Sequence, residues 1–303
     1  MRRLGEILSV CALVLVGLVP AEADERTVRP PITGIVQVKI YVSDADKARE
    51  FYEKFLGFTI TAPNCGRGIV ACLVVNDRQQ IQLVTGTWSP SENRIAEISY
   101  ATTDLAQLRA YLLSKGLTVG EVSTGADKLQ QFSLKDPEGH AIRFVQHAMA
   151  TQASGAPSQI SARLIHAGFI VHDRQVEDHF YKDILGFHLY WQGGMKDNET
   201  SWVSMQVPDG TDWLEYMLNI SPDASRHVIG IMNHIALGVT DIQEAKRQLL
   251  KNGGKPGEEP KLGRDGKWQL NLYDPDDTRV EFMEFKPVEK PCCSEFTGTH
   301  PTP

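Results

Sequence analysis

Two histidines and two glutamates occupy corresponding places in the second half of this 303-residue chain. His166 lies in RLIHAGFIV and His234 in IMNHIALGV, while Glu215 lies in WLEYML and Glu281 in RVEFMEF. The apolar, β-branched character of all four segments reads as strand. His166 precedes Glu215 by 49 residues and His234 precedes Glu281 by 47. One imidazole and one carboxylate per unit, in two similar units, is a donor set for one divalent ion such as Ni²⁺, Zn²⁺ or Fe²⁺ rather than a metal that prefers thiolates. A lone strand histidine is usually a packed one, and a lone strand glutamate usually faces water. Four such residues in matched positions point to a shared site instead.

Residues two apart on a strand share a face. Gly168 and Ile170 therefore flank His166, and Ala236 and Gly238 flank His234. Trp213, Met217 and Asn219 share the face of Glu215, and Arg279 and Met283 that of Glu281. The expected substrate pocket is thus Gly168, Trp213, Met217, Asn219, Ala236 and Met283, with the small residues leaving room beside the ion. Arg264 and Lys267 in KLGRDGKW could meet an anionic group, although a solvated loop is the plainer reading. His140, His172, His179 and His227 read as surface residues.

These residues belong to a repeat. Gln37–Phe58 aligns with His166–Phe187 at an offset of 129, sharing a turn with Asp, a Phe-Tyr pair and Leu-Gly-Phe. Glu97–Gly116 aligns with His234–Gly253 at 137, and Asp136–Arg143 with Asp274–Glu281 at 138. The order is A-B-A′-B′, each unit reading strand, helix, then several strands. Helices are expected to stop at Gly57, Gly116, Gly186 and Gly253, and Asp-Pro at 136–137 and 274–275 marks turns before the last strands. The division is an N-terminal domain over 33–147, a small and polar linker over 148–162, and a C-terminal domain over 163–287. The Pro-, Ser- and Thr-containing tail, 288–303, is expected to be poorly ordered.

Met1-Arg2-Arg3, the 13-residue apolar run Ile7–Val19 and Ala21-Glu22-Ala23 have the pattern of a signal peptide cleaved near Ala23, and the run is too short to span a bilayer. The expectation is a periplasmic or secreted protein. Its net charge of −7, with no basic stripe, argues against nucleic acid, and no second apolar run suggests a membrane helix. Cys65, Cys72, Cys292 and Cys293 would remain after cleavage, and three pairings are open. A small-molecule ligand suits either a monomer or a homodimer.

The His-x5-Asp…Phe-Tyr…Leu-Gly-Phe pattern and the Asp-Pro-Asp-x4-Glu ending at Asp274–Glu281 resemble the vicinal oxygen chelate superfamily of glyoxalase I, extradiol dioxygenases and fosfomycin-resistance proteins. The resemblance covers nearly all of the chain beyond residue 32. It implies an α+β fold of four βαβββ units in two tandem glyoxalase/dioxygenase-type domains. Residues 163–287 look most like bacterial glyoxalase I, whose pattern assigns the metal to His166, Glu215, His234 and Glu281. It also implies that Glu281 is the catalytic base and that Glu215 serves the opposite carbon. Asn219 matches a glutathione-contacting asparagine of that enzyme, but Ile170 stands where it carries an arginine. The equivalent positions of the first half are Gln37, Gln82, Glu97 and Arg143, and an arginine would repel a cation there.

Four protein ligands on a six-coordinate ion leave two positions open, which suits a substrate chelating through vicinal oxygens and an ion acting as Lewis acid. The leading expectation is a glyoxalase I-like lyase or isomerase. Three ligands would leave room for a catecholate and O₂, and an extradiol ring-cleaving dioxygenase is the alternative. A metal-containing small-molecule binding protein is the third.

Overall fold

The computed structural model describes residues 28–61, 65–66, 68–85, 93–126, 128–146 and 156–303. The expected signal peptide and most of the expected linker lie outside them.

The turn aspartates of the repeat are helix caps. Asp44 accepts hydrogen bonds from the amides of Asp46 and Lys47, and Asp173 from those of Gln175 and Val176. Asp104 and Asp241 do the same for the longer helices Leu105–Ser114 and Ile242–Lys251. The four glycines expected to end helices have φ between +78° and +87°, the left-handed region in which a side chain is strained. In both A-type units the Phe-Tyr pair sits in a π-helical turn, Glu50–Phe55 and His179–Ile184.

Each half builds its own eight-stranded sheet. The first half runs β1 (Ile32–Tyr41), β2 (Thr59–Ile60), β3 (Ile69–Val74), β4 (Gln80–Val84), β5 (Ile95–Thr102), β6 (Ser123–Thr124), β7 (Gln130–Lys135) and β8 (Ala141–Gln146). The second runs β9 (Leu164–Ile170), β10 (His188–Gly193), β11 (Trp202–Gln206), β12 (Trp213–Met217), β13 (His234–Val239), β14 (Lys261–Leu262), β15 (Trp268–Tyr273) and β16 (Arg279–Glu284). The orders are β2-β3-β4-β1-β5-β8-β7-β6 and β10-β11-β12-β9-β13-β16-β15-β14. The two units of a half therefore join edge to edge through β1·β5 or β9·β13, and the four histidine- and glutamate-bearing strands are the middle four of the second sheet.

The halves interlock through the repeated motifs. Tyr52 Oη donates to Asp274 Oδ2 and Tyr181 Oη to Asp136 Oδ2, each at 3.1 Å and each buried. The Phe-Tyr helix of one half thus docks on the Asp-Pro turn of the other, twice. Between them, Gln79 bridges the carbonyl and amide of Leu164. One apolar core runs through both halves. Removing either hydroxyl strands part of a buried carboxylate, so Tyr52→Phe and Tyr181→Phe should each cost about 1–3 kcal/mol. A urea midpoint unchanged in both variants would show that the interlock contributes nothing.

The tail corrects the sequence expectation. Residues 288–303 form an ordered strap along β10, the edge strand of the second sheet. Thr297 N donates to Tyr190 O (3.0 Å), Gln192 N to Ser294 Oγ (2.9 Å) and Trp191 Nε1 to Cys292 O (3.2 Å). Phe296 packs on Tyr190 and Trp191. An open edge strand offers unpaired backbone groups and an apolar flank, and the tail satisfies both. The cysteines pair with near neighbours, Cys65 with Cys72 and Cys292 with Cys293. Among the described residues no helix is long and apolar enough to cross a membrane.

Candidate metal centre

Strand register explains why the four side chains meet. One cross-strand row reads Trp213–His166–Ala236–Glu281 and the next reads Glu215–Gly168–His234–Arg279. Each row holds one histidine and one glutamate, separated by a very small residue. The pairs run in opposite senses, so the two imidazoles meet diagonally. His166 Nε2 and His234 Nε2 are 3.0 Å apart. Glu215 Oε2 lies 3.2 Å from His234 Nε2 and 3.9 Å from His166 Nε2, and Glu281 Oε2 lies 3.6 Å from His166 Nε2. Ser204, opposite Glu215, donates to its other oxygen.

Gly168 does not open space for a substrate, as its size suggested. The His234 ring lies on it, and a Cβ there would come within 2.2 Å of His234 Cε1. Gly168→Ala should therefore push His234 out of register with its partners and lower metal retention while the fold persists. Elemental analysis checks this, and full metal content in the variant would refute the packing argument.

The protonation states fit a cation. His234 Nδ1 faces the Met232 carbonyl at 3.1 Å, so that nitrogen carries the proton and Nε2 presents its lone pair to the cluster. Burial holds both histidine pKa values well below the usual range, and the nearby Arg279 adds to the effect. Two neutral imidazoles and the Glu215 carboxylate, with ligand atoms all within 4.8 Å of one another, are a donor set for a divalent ion, while Glu281 stands outside that group and approaches only His166, at 3.6 Å. Burial raises the Glu281 pKa to about 7, with Glu215 and Asp265 reinforcing it and Arg279 opposing it.

The first half shows the same register filled differently. Lys39 stands where Gly168 stands in the second half, opposite Gln82 and Glu97, and Ser99 stands where Ala236 does. Lys39 Nζ reaches Glu97 Oε1 at 2.7 Å and Arg143 Nε reaches the same oxygen at 3.2 Å. Arg143 also donates to Ser99 Oγ, and Gln37 accepts from Gln80. Two cations thus straddle the one carboxylate among the four equivalent positions. Lys39 adds to this, since no lysine could share a cluster with a bound cation.

A cavity of about 330 Å³ opens onto Glu215 and Glu281. Trp213 and Met283 line it, as does Arg264, while Gly168, Met217, Asn219 and Ala236 do not. Asn219 is turned outward, its amide donating to Thr200 O. Among the lining groups that sequence reasoning missed are four aromatic ones, including Trp202 from β11. Tyr190 and Trp191 come from the edge strand, and Phe296 comes from the tail. Lys267 was weighed as a solvated residue but is wholly buried. The signals were slight: one phenylalanine in a polar tail, and a tryptophan beside the lysine. Of the other histidines, His172, His179 and His227 are exposed. His140 instead stacks on Phe169 at 3.9 Å and meets Asp136.

A model of the Glyoxalase/Bleomycin resistance protein/Dioxygenase superfamily matches residues 34–144 and again 163–282. Similar solved structures include homoprotocatechuate 2,3-dioxygenase from Arthrobacter globiformis, with a TM-score of 0.64 at 18% identity over 84% of this chain and 80% of that one. The Brevibacterium fuscum homoprotocatechuate 2,3-dioxygenase, solved with 3,4-dihydroxyphenylacetate, gives 0.61 at 17% identity over 85% and 82%. These identities speak for the fold. None of the curated proteins compared matches the chain. The two matched segments coincide with the two eight-stranded sheets and take up most of the sequence, and the chain belongs to the glyoxalase/bleomycin resistance protein/dioxygenase superfamily.

Proposed function

We propose that this chain is a metal-dependent lyase or isomerase of glyoxalase I type, acting on a small molecule that presents two vicinal oxygens. The observation that carries the reading is the fourth ligand. Glu215 lies within reach of both imidazoles, and Glu281, outside that close group, approaches His166 at 3.6 Å as a second carboxylate that a bound ion would have to draw in. His166, Glu215, His234 and Glu281 would hold one divalent ion, which when bound supplies Lewis acidity towards two adjacent substrate oxygens. Glu281 is the proton acceptor by its resemblance to the mobile glutamate of glyoxalase I, and its place outside the close group of His166, Glu215 and His234 suits a carboxylate that leaves the ion to take a proton. Glu215, oriented by Ser204, serves the opposite carbon. Trp213 and Met283 keep water from that exchange.

A ring-cleaving extradiol dioxygenase with Fe²⁺ is the second reading. The aromatic lining of the cavity favours it, together with the fold shared with homoprotocatechuate 2,3-dioxygenases. A periplasmic or secreted location belongs to the proposal and rests on the pattern of residues 1–23. Elemental analysis after gentle purification should find about one divalent ion per chain in wild type and far less in His234→Ala. Anaerobic loading with Fe²⁺ followed by O₂ uptake with catechols tests the dioxygenase reading. Turnover of α-keto and hemithioacetal substrates without O₂ tests the first. Metal without any turnover would leave a binding protein.

A further inference from the structure

Lys267 is a buried cation that the chemistry above does not use. It enters β15 from the loop before it and has no exposed surface. Its ammonium lies 4.8 Å from the centre of the Trp213 ring, 5.1 Å from that of Phe296 and 5.3 Å from that of Tyr190. An ammonium has three donors, and among the described residues one is used, on Tyr190 Oη at 3.3 Å. That hydroxyl meets His300 Nδ1 on its other side. Tyr190 Oη thus lies between the lysine ammonium and the His300 ring and ties Lys267 to the tail.

The other cations lining the cavity differ from Lys267. Lys261 is paired with Glu258 and Arg264 with Asp197, both towards solvent, while Arg279 lines the cavity beside His234 and acts on Glu281. No ion pair holds Lys267 among the described residues, although Asp265, Glu281 and Glu215 all act on it through space. Burying a charge with unspent donors is costly unless something completes its shell. The cavity beside it is walled by Trp191, Trp202, Trp213 and Phe296, which suit a flat ring.

We propose that Lys267 is the anion-binding group of this cavity and that the ligand class it selects is a small aromatic carboxylate. The carboxylate completes the ammonium's donors while the ring lies between the indoles. The inference deepens the functional reading, since it takes the cavity to be where substrate sits. Its test does not depend on turnover.

The experiment uses the full-length chain stripped with EDTA, so that no ion can take the carboxylate. Phenylacetate and its neutral isostere phenylacetamide are titrated against tryptophan fluorescence. Wild type should prefer the acid by ~10-fold or more, as expected for a charge-assisted hydrogen bond to a desolvated ammonium. Lys267→Met should erase that preference and leave the amide's affinity unchanged, which doubles as the check that the cavity is intact. Lys267→Arg should keep part of it. Equal affinity of the two probes in wild type overturns the proposal without any variant, and so does no binding of either probe up to about 10 mM. A preference surviving in Lys267→Met overturns it as well. If the acid is preferred but wild type holds no metal, the subsite stands and the enzymatic reading falls.

Discussion

Glu281→Gln should keep much of the metal and lose about 10²–10⁴-fold in turnover, the usual contribution of a general base. The amide still offers an oxygen to the cluster but cannot take a proton at neutral pH. The change is close to isosteric and adds no bulk, so the cluster's packing should survive it. Glu215→Gln should be milder on one substrate stereoisomer if the two carboxylates serve opposite faces. The dioxygenase reading expects another pattern. There Glu215→Gln leaves O₂-dependent ring cleavage nearly intact, while Glu281→Gln weakens iron binding. Rates and metal content of both variants, with and without O₂, separate the two. An O₂-dependent activity indifferent to Glu215 would end the isomerase reading.

The Glu281 contribution to the stability of metal-free protein should fall as pH rises from about 4.5 to about 7, against an opposing rise from His166 and His234, whose pKa values the fold lowers, and a divalent ion should restore the lost part. Glu281 titrates near 4.5 when unfolded and near 7 when folded. Below 4.5 both states hold the proton and nothing changes. Between the two values the unfolded chain releases it while the folded chain keeps it, so stability falls with rising pH. Above about 7 both are ionised and the loss is constant at roughly 3 kcal/mol. Asp265 (about 6) and Glu177 (about 8) are raised by burial too and slope the same way. The part due to Glu281 is therefore the difference between wild type and Glu281→Gln. Melting curves of EDTA-treated protein from pH 5 to 8, repeated with Zn²⁺, measure it. Identical pH profiles for the two chains would show that Glu281 is not held protonated by the fold.

The repeat, the strand–helix–strand grammar of each unit and the approach of His166, Glu215 and His234 could be read from the sequence. Each is written in short-range chemistry: Asp caps, glycines at left-handed helix ends, alternating strands, and histidines and glutamates at nearly equal offsets, 49 and 47 residues. That the first half lacks the histidine–glutamate set was legible in Gln37, Gln82, Glu97 and Arg143, while the place of Lys39 opposite Gln82 and Glu97 was seen only in the register. What only the tertiary structure decided were long-range placements. The Phe-Tyr and Asp-Pro motifs were visible as repeats, but nothing local said that Tyr52 would meet Asp274, 222 residues away, and Tyr181 meet Asp136. Gly168 looked like space because a sequence shows a residue's own size and not the His234 ring laid over it from the next strand. Lys267 and the tail looked solvated because their composition is polar. Lys267 is buried and the tail is docked, though still partly exposed, because an edge strand and an aromatic wall, distant in sequence, needed covering, and composition cannot report a partner that the fold brings from elsewhere in the chain.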